Sequence, residues 1–200
     1  MRKVVVLTFV SLDGVMQAPG GPQEDTSGGF KYGGWTVPYF EETVGEIMDK
    51  QMTPPFDLLL GAKTYDIFAS YWPEHNNKVG VPLNKATKYV VSHEERELSW
   101  GPAQLITGDV VAQIQELKNQ DGPMLQVHGS SEFLQTLFKS DLVDELWLKI
   151  FPIILGSGKR LFSEGIRPGA FILEESQTTP QGVIIASYKR AGEVKTGSFD

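Results

Sequence analysis

The stretch Leu59-Leu60-Gly61-Ala62-Lys63-Thr64-Tyr65 decides the fold, because it joins a short apolar run to an amphipathic segment through one glycine. The run that ends at Leu60 predicts a buried strand, and Ile67, Phe68 and Tyr71 lie on one side of the helix that follows. A strand, a tight turn and a helix in this order form the repeating unit of a parallel α/β sheet.

The same turn is a candidate phosphate site. Glycine lets an anion approach the backbone at Gly61, and the free N–H groups of the first helical turn point toward that anion. Ala62 and Lys63 belong to this turn, and Thr64 can add a side-chain hydrogen bond. An ordinary strand-to-helix turn with Thr64 as its cap explains the same residues, so this motif alone does not decide between the two interpretations.

A second unit of the same kind follows later in the chain. Residues 124–127 predict a strand, His128-Gly129-Ser130-Ser131 form the turn, and Ser130 or Ser131 caps a helix. The buried stripe of that helix consists of Phe133, Leu134, Leu137 and Phe138. Two such turns at the carboxyl ends of parallel strands form the usual crevice for a dinucleotide. Neither turn matches GxGxxG, which disfavours an ordinary Rossmann domain.

The remaining elements complete a mostly parallel α/β sheet. Residues 4–10 predict a central strand, and the glycine-rich residues 17–36 predict an active-site loop. Thr36 is expected to cap a helix that Pro54-Pro55 ends. Further predicted elements are strands at 88–91 and near Leu105, a helix from Asp109, and three strands at 146–151, 171–173 and 183–188. The last three have no long helix between them, which predicts an antiparallel end. We expect one domain over residues 1–190 and a polar tail over 191–200.

Three further groups of side chains are candidates for binding or catalysis. Asp13 is placed for proton transfer or for holding a polar substrate, although an Asp that caps a turn is the plainer interpretation. Ser92 and His93 follow another strand and can meet an adenosine ribose or its 2′-phosphate; a solvent-exposed loop explains them equally well. The aromatic residues that can wall a pocket for a flat heterocycle, or simply pack in the core, are Trp35, Tyr39, Phe40 and Trp72.

Composition excludes several classes of function. The net charge is −7 and no Lys/Arg cluster is present, so nucleic acid is not an expected partner. The chain has no cysteine, and its three histidines are not paired at metal-ligand spacing, so no metal site is predicted. No stretch approaches the ~20 apolar residues that span a bilayer, so we expect no membrane partner and a cytoplasmic location.

Taken together, these segments resemble the RibD C-terminal, dihydrofolate-reductase-like family over about residues 2–190. The resemblance rests on the order and spacing of six segments: 11–14, 61–65, 88–92, 128–131, 142–146 and 152–162. Such a chain is expected to have the dihydrofolate-reductase-like three-layer α/β/α fold. The deaminase half of bifunctional relatives is missing, since its zinc signature needs cysteine.

The resemblance also implies roles for individual residues. NADPH is the implied hydride donor and a small pteridine- or pyrimidine-like heterocycle the implied substrate, as for the riboflavin-pathway reductase. The pyrophosphate would be held by two segments, Gly61 to Thr64 and, after His128, Gly129 to Ser131. Val91, Ser92 and His93 would meet the adenosine, Phe9 and Val10 would line the nicotinamide, and Asp13 would face the substrate. Many members of the family form homodimers through their C-terminal strands, so the resemblance implies a homodimer.

Two functions are therefore expected from the sequence. The first is an NADPH-dependent reductase that transfers hydride to an electron-poor C=N or C=O carbon, with Asp13, water or another group as the proton source. The alternative is a non-catalytic nucleotide- or pterin-binding protein on the same fold, because a fold does not fix a function.

Overall fold

The computed structural model describes residues 1–199, which form eight strands and five α-helices. The strands are β1 (Val4–Ser11), β2 (Phe56–Gly61), β3 (Lys88–Val91), β4 (Ala103–Ile106), β5 (Met124–Val127), β6 (Glu145–Phe151), β7 (Ala170–Thr178) and β8 (Ile184–Gly192). The helices are α1 (Glu42–Met52), α2 (Ala62–Tyr71), α3 (Gly80–Lys85), α4 (Val110–Asn119) and α5 (Ser131–Lys139). None of the helices in this described part is long and apolar enough to cross a membrane.

One sheet with the strand order β4-β3-β2-β5-β1-β6-β8-β7 contains all eight strands. The first six strands in that order pair in parallel, and β8 pairs antiparallel with both β6 and β7. The predicted mostly parallel sheet with an antiparallel end is therefore confirmed. One detail of the prediction is wrong: β6 is parallel to β1, so the antiparallel part begins only at β8.

Helices cover both faces of the sheet. One apolar cluster packs Ile114 of α4 and Leu134 of α5 against Val4, Leu59 and other strand residues. On the opposite face, a second cluster contains Met52 of α1 and Tyr65 of α2. Each strand can serve both clusters because successive side chains point to opposite faces. The result is the expected α/β/α layering.

One predicted boundary is wrong, and one helix was not predicted. Residues 37–39 form a short 3₁₀ turn, and α1 begins at Glu42. Thr36 is not its cap: its hydroxyl instead donates to the Pro19 carbonyl, at 2.7 Å, inside the preceding loop. In addition, α3 was not predicted, because Pro82 lies within its six residues.

The C-terminal end also differs slightly from the prediction. The last strand continues to Gly192, which pairs with Ala170, so the ordered sheet passes the expected boundary at residue 190. Asp200, the last residue of the predicted tail, lies outside the described residues.

Candidate functional site

The predicted cofactor residues gather at one edge of the sheet. They follow the carboxyl ends of β3, β2, β5 and β1, which are four consecutive parallel strands. Because neighbouring strands lie about 4.8 Å apart, these four ends cover about 14 Å. The order along the edge runs from the predicted adenosine residues, past the two glycine turns, to Phe9.

The two glycine turns contact each other directly. The N–H of Gly61 donates to the carbonyl oxygen of Gly129, with an N···O distance of 3.0 Å. A Cβ atom at Gly61 would stand 2.4 Å from the Ser130 hydroxyl oxygen, and one at Gly129 would stand 2.6 Å from the Thr64 hydroxyl oxygen. Gly129 also has φ of 153°, and its peptide bond to Ser130 is cis. No side chain fits at either glycine.

This contact places two helix N-termini side by side. Ala62 begins α2 and Ser131 begins α5, each immediately after its turn. The first N–H groups of a helix have no partner within it, so they favour an anion. Lys63, in the first turn of α2, is exposed. At the next strand end, His93 is exposed and the Ser92 hydroxyl accepts a hydrogen bond from the Glu94 N–H at 3.2 Å.

Two of the predicted pocket aromatics, Trp35 and Tyr39, form one group around Phe151 with Phe9, the residue predicted to line the nicotinamide. The Phe151 ring centroid lies 5.8 Å from that of Phe9, 5.4 Å from that of Trp35 and 6.0 Å from that of Tyr39, each in an edge-to-face arrangement. Phe9 and Tyr39 remain half-buried, so this aromatic group, formed by Phe9, Trp35, Tyr39 and Phe151, reaches the surface. Val10 points to the other face of the sheet, where it packs in the core.

The other two predicted pocket aromatics lie elsewhere. Phe40 is exposed, and no contact brings it to the aromatic group. Trp72 packs against Phe68 and Tyr71 at the end of α2. Phe68 also contacts the second glycine turn, since its ring centroid is 5.6 Å from that of His128. Trp72 therefore packs against the second apolar cluster, whereas Phe9 packs with Phe151 in a third one.

Asp13 is engaged within the turn after β1. Its carboxylate accepts hydrogen bonds from the Ser11 hydroxyl at 2.6 Å and from the N–H groups of Leu155 and Gly156 at 3.1 and 2.9 Å. Arg160 lies 3.6 Å from the same carboxylate. Desolvation raises the pKa of Asp13, but these hydrogen bonds outweigh it and the pKa is lowered overall. This environment keeps Asp13 ionised and favours the turn-capping interpretation over proton donation.

Asp25 holds the long loop of residues 17–36 closed against the site. Its carboxylate pairs with Lys63 at 2.6 Å and with Lys159 at 2.9 Å. The loop is tied internally as well, because the Trp35 indole N–H donates to the Gln17 carbonyl at 2.8 Å. The loop thus positions Trp35, and it places one carboxylate on the lysine of the first glycine turn.

Sequence reasoning missed Gln51, Gln126 and Lys149, which form a polar cluster with His128 beside the aromatic group. The Lys149 ammonium donates to the Gln51 side-chain oxygen at 2.5 Å, and the Gln126 side-chain amide donates to the Gln51 carbonyl at 2.9 Å. One signal was available: Lys149 has the same parity as Trp147 and Phe151 along β6, which puts it on a buried face.

Burial changes the charge of this cluster. Lys149 has no solvent exposure, and desolvation lowers its pKa to about 7. For His128, desolvation is again the main cause, with a smaller contribution from the charge of Lys149, and together they lower its pKa to about 3. His128 is therefore neutral at pH 7, while Lys149 is near its titration midpoint.

Comparison with known proteins identifies the family. The profile of the RibD C-terminal domain matches residues 2–185. The chain belongs to the RibD C-terminal domain family. Among its relatives, the uncharacterized protein YyaP of Bacillus subtilis (strain 168) is 22% identical over 192 residues, which is 94% of each chain.

Two solved structures show the fold of this RibD C-terminal domain. A putative riboflavin biosynthesis protein from Shewanella sp. PV-4 superposes with a TM-score of 0.65 at 22% identity, over 96% of this chain and 99% of that one. A dihydrofolate reductase from Enterococcus faecalis, complexed with NADP(H) and RAB-propyl, gives a TM-score of 0.62 at 11% identity, over 94% and 96%. The predicted dihydrofolate-reductase-like fold is confirmed.

The Lys149→Met variant of this RibD C-terminal domain is expected to be more stable than wild type by about 2 kcal/mol at pH 7. The folded pKa of Lys149 is depressed, so the unfolded state binds its proton more tightly. The stability that wild type loses by burying this charged amine is therefore largest below about pH 7. The loss disappears as the pH rises toward the ordinary pKa of lysine. Denaturant titrations from pH 6 to 10 should show the advantage of the variant shrinking with pH.

Lys88→Met is the comparison variant, because burial lowers the pKa of Lys88 as well, to about 8, but the nearby charge of Asp57 opposes that shift. The Lys88 ammonium also donates to two backbone carbonyls, those of Asn84 and Gly101 at 2.8 and 3.3 Å, so this variant should gain less stability at pH 7 than Lys149→Met does. A Lys149→Met protein that is less stable than wild type, or whose stability difference does not change with pH, would contradict the account of the buried amine.

Proposed function

We propose that this protein is an NADPH-dependent reductase of a small pteridine- or pyrimidine-like heterocycle. The observation that carries the proposal is the alignment of two glycine turns and two helix N-termini at neighbouring strand ends, with an aromatic group at the end of the row. Its similarity to a putative riboflavin biosynthesis protein and to a dihydrofolate reductase complexed with NADP(H) supports the same class of activity.

The residues at this edge fit the cofactor. The N-termini of α2 and α5, with Thr64, would hold the pyrophosphate, because free backbone N–H groups favour an anion there. Lys63 lies beside them and is paired with Asp25. Ser92 and His93 would lie beside the adenosine ribose. Gly61 and Gly129 carry no side chain where the two turns meet, so the turns lie in direct contact and the two helices begin side by side.

The chemistry is divided between the cofactor and the chain. When bound, NADPH supplies the hydride that goes to an electron-poor C=N or C=O carbon. Phe9, Trp35 and Tyr39 would exclude water and orient a flat ring, since such rings stack well on aromatic side chains. The nitrogen or oxygen of the reduced bond then takes a proton, and Asp13 is poorly suited to give it, because four groups hold its carboxylate ionised.

Ala62→Glu should weaken NADPH binding about tenfold, a loss of about 1.4 kcal/mol, because the new carboxylate repels the pyrophosphate. The substitution suits the helix itself, since an acidic residue in the first turn is favourable. The affinity is measured by isothermal titration calorimetry and the fold by thermal unfolding. Ala112→Glu, in the first turn of α4, is the matched control and should bind NADPH like wild type. Unchanged affinity in Ala62→Glu would exclude this turn as the pyrophosphate site.

A non-catalytic nucleotide- or pterin-binding protein is the second candidate, and the engaged state of Asp13 favours it. The two candidates differ in turnover. A reductase oxidises NADPH when it is mixed with a pterin or aminopyrimidine acceptor, so the NADPH absorbance falls. A binding protein holds both ligands, and the absorbance does not change.

We further propose that two copies of the chain pair through the last two strands. The outermost strand, β7, leaves a row of backbone N–H and C=O groups unpaired, and it exposes Ile172 and Leu173 by 63% and 50%. Sedimentation of the wild type should give twice the mass of the 22.1 kDa chain, and Ile172→Lys should give the monomer. The same substitution at Val194, exposed but beyond β8, should leave the dimer intact. A wild type that sediments as a monomer contradicts the proposal.

A further inference from the structure

Two lysines from distant parts of the chain meet beside the first glycine turn. Lys63 lies in the first turn of α2, and Lys159 lies in the glycine-rich segment after β6. Both ammoniums contact the carboxylate of Asp25, one at Oδ1 at 2.6 Å and the other at Oδ2 at 2.9 Å. Two oxygens of one phosphate group are spaced much like those of a carboxylate. The two ammoniums are therefore close enough for one phosphate to bridge them.

Asp25 is surrounded by donors in the way that a bound anion is. Besides the two lysines, the Ser27 N–H and hydroxyl donate to its carboxylate at 3.0 and 2.6 Å. Desolvation raises the pKa of Asp25, but the hydrogen bonds from Lys63, Ser27 and Lys159 outweigh it and lower the pKa overall. The carboxylate is therefore ionised. Ammonium groups, a hydroxyl and a backbone N–H are also the donors with which proteins bind phosphate.

Gln17 fixes the position of this carboxylate. It is buried, and its side-chain amide donates to the backbone carbonyls of Asp25 and Ser27 at 3.0 and 2.9 Å. Its side-chain oxygen accepts from the Lys159 N–H at 3.0 Å. The loop at residues 25–27 and the backbone of Lys159 are thus tied to the same side chain. A change of partner for the lysines does not require this backbone to move.

The lysine side chains are the part that can move. The side chains of Lys63 and Lys159 are 45% and 31% exposed, and each carries its ammonium on a flexible stem. Ion pairs at such exposure are weak, because water competes for both charges. Glu132, in the first turn of α5, also attracts Lys63, but it is exposed and acts only through its charge. A pyrophosphate at the two helix N-termini offers both ammoniums a more highly charged partner than Asp25.

We propose that Asp25 is a built-in competitor for the phosphate-binding site: it holds Lys63 and Lys159 until the pyrophosphate of a dinucleotide takes both lysines from it. This inference rests on the proposed function, because it needs a dinucleotide at the N-termini of α2 and α5. It adds Lys159 to the residues of that site. It also makes the affinity for the dinucleotide lower than two free lysines would give. Ser27 continues to donate to Asp25 after the exchange, so no proton has to move.

Replacing the carboxylate tests the competition directly. The amide of Asp25→Asn can still accept from Ser27 but no longer carries the charge that holds the lysines. This variant should therefore bind NADPH about tenfold more tightly than wild type in calorimetric titrations. Inorganic pyrophosphate, which carries only the central part of the dinucleotide, should gain by the same factor. Asp25→Ser repeats the test with a side chain too short to reach the lysines.

A double-mutant cycle separates competition for the lysines from simple repulsion between Asp25 and the phosphate. If Asp25 acts by holding Lys63, the gain depends on that lysine. In a Lys63→Met background, Asp25→Asn should then raise the NADPH affinity by about threefold or less. Asp49→Asn is the matched control, because it also removes a carboxylate from an ion pair, with Lys78 at 3.3 Å near the end of α1. It should bind NADPH like wild type.

Two results, in variants that thermal unfolding shows to be folded, would overturn the proposal. One is an affinity of Asp25→Asn and Asp25→Ser for NADPH that equals or falls below that of wild type. The other is an equal gain with and without Lys63, which would leave simple repulsion as the cause. Failure of the proposed function looks different. NADPH bound equally by wild type and variants removes only the competition, whereas no NADPH binding by any of them removes the reductase and the competition together.

Discussion

The close contact between the turns after β2 and β5 is the constraint on which the site depends. Parallel neighbours in a sheet end at the same edge, and the hydrogen bond from Gly61 to Gly129 brings the two backbones together there. A side chain at either position would collide with Ser130 or Thr64. The helices that follow therefore begin side by side, and their unpaired N–H groups face a common space.

Around that contact, the charges are arranged in an unusual way. The protein has a net charge of −7, yet the candidate site contains one exposed lysine and one buried lysine. Lys63 lies at the surface, where Asp25 of the long loop pairs with it. Lys149 lies beneath Phe9, where nothing acidic pairs with it among the described residues. Local geometry sets the potential at the site, because nearby groups act through a drier medium than distant surface charges do.

Much of the fold could be predicted because the local signals agreed with one another. The glycine turns, the apolar runs and the alternation of strands and helices all indicate a mostly parallel sheet, and the family resemblance adds the layering. The start of α1 was missed because the Thr36 hydroxyl had a partner at Pro19 that is distant in sequence. Pairing of β6 with β1 was missed for a similar reason, since the sequence of a strand does not show which neighbour it takes.

The sequence indicated some residues of the site correctly and others not. The glycine turns follow from backbone requirements that a sequence displays. Trp35, Tyr39 and Phe9 come together only through Phe151, whereas Phe40 and Trp72 look similar in sequence and lie elsewhere. Asp13 stands where a catalytic carboxylate was expected, but the amides of the 152–160 segment, distant in sequence, occupy it. Lys149 lies in the predicted strand at 146–151, but its burial depends on α1 covering that face of the sheet.

Calorimetric titration of the purified wild-type protein with NADPH, and with NADH alongside it, tests the central claim most directly. The account predicts one site per chain with micromolar affinity for NADPH, because two helix N-termini converge on the pyrophosphate. The absence of heat with both nucleotides, in a protein that unfolds cooperatively, would contradict the account and leave the paired glycine turns as a structural feature of the fold.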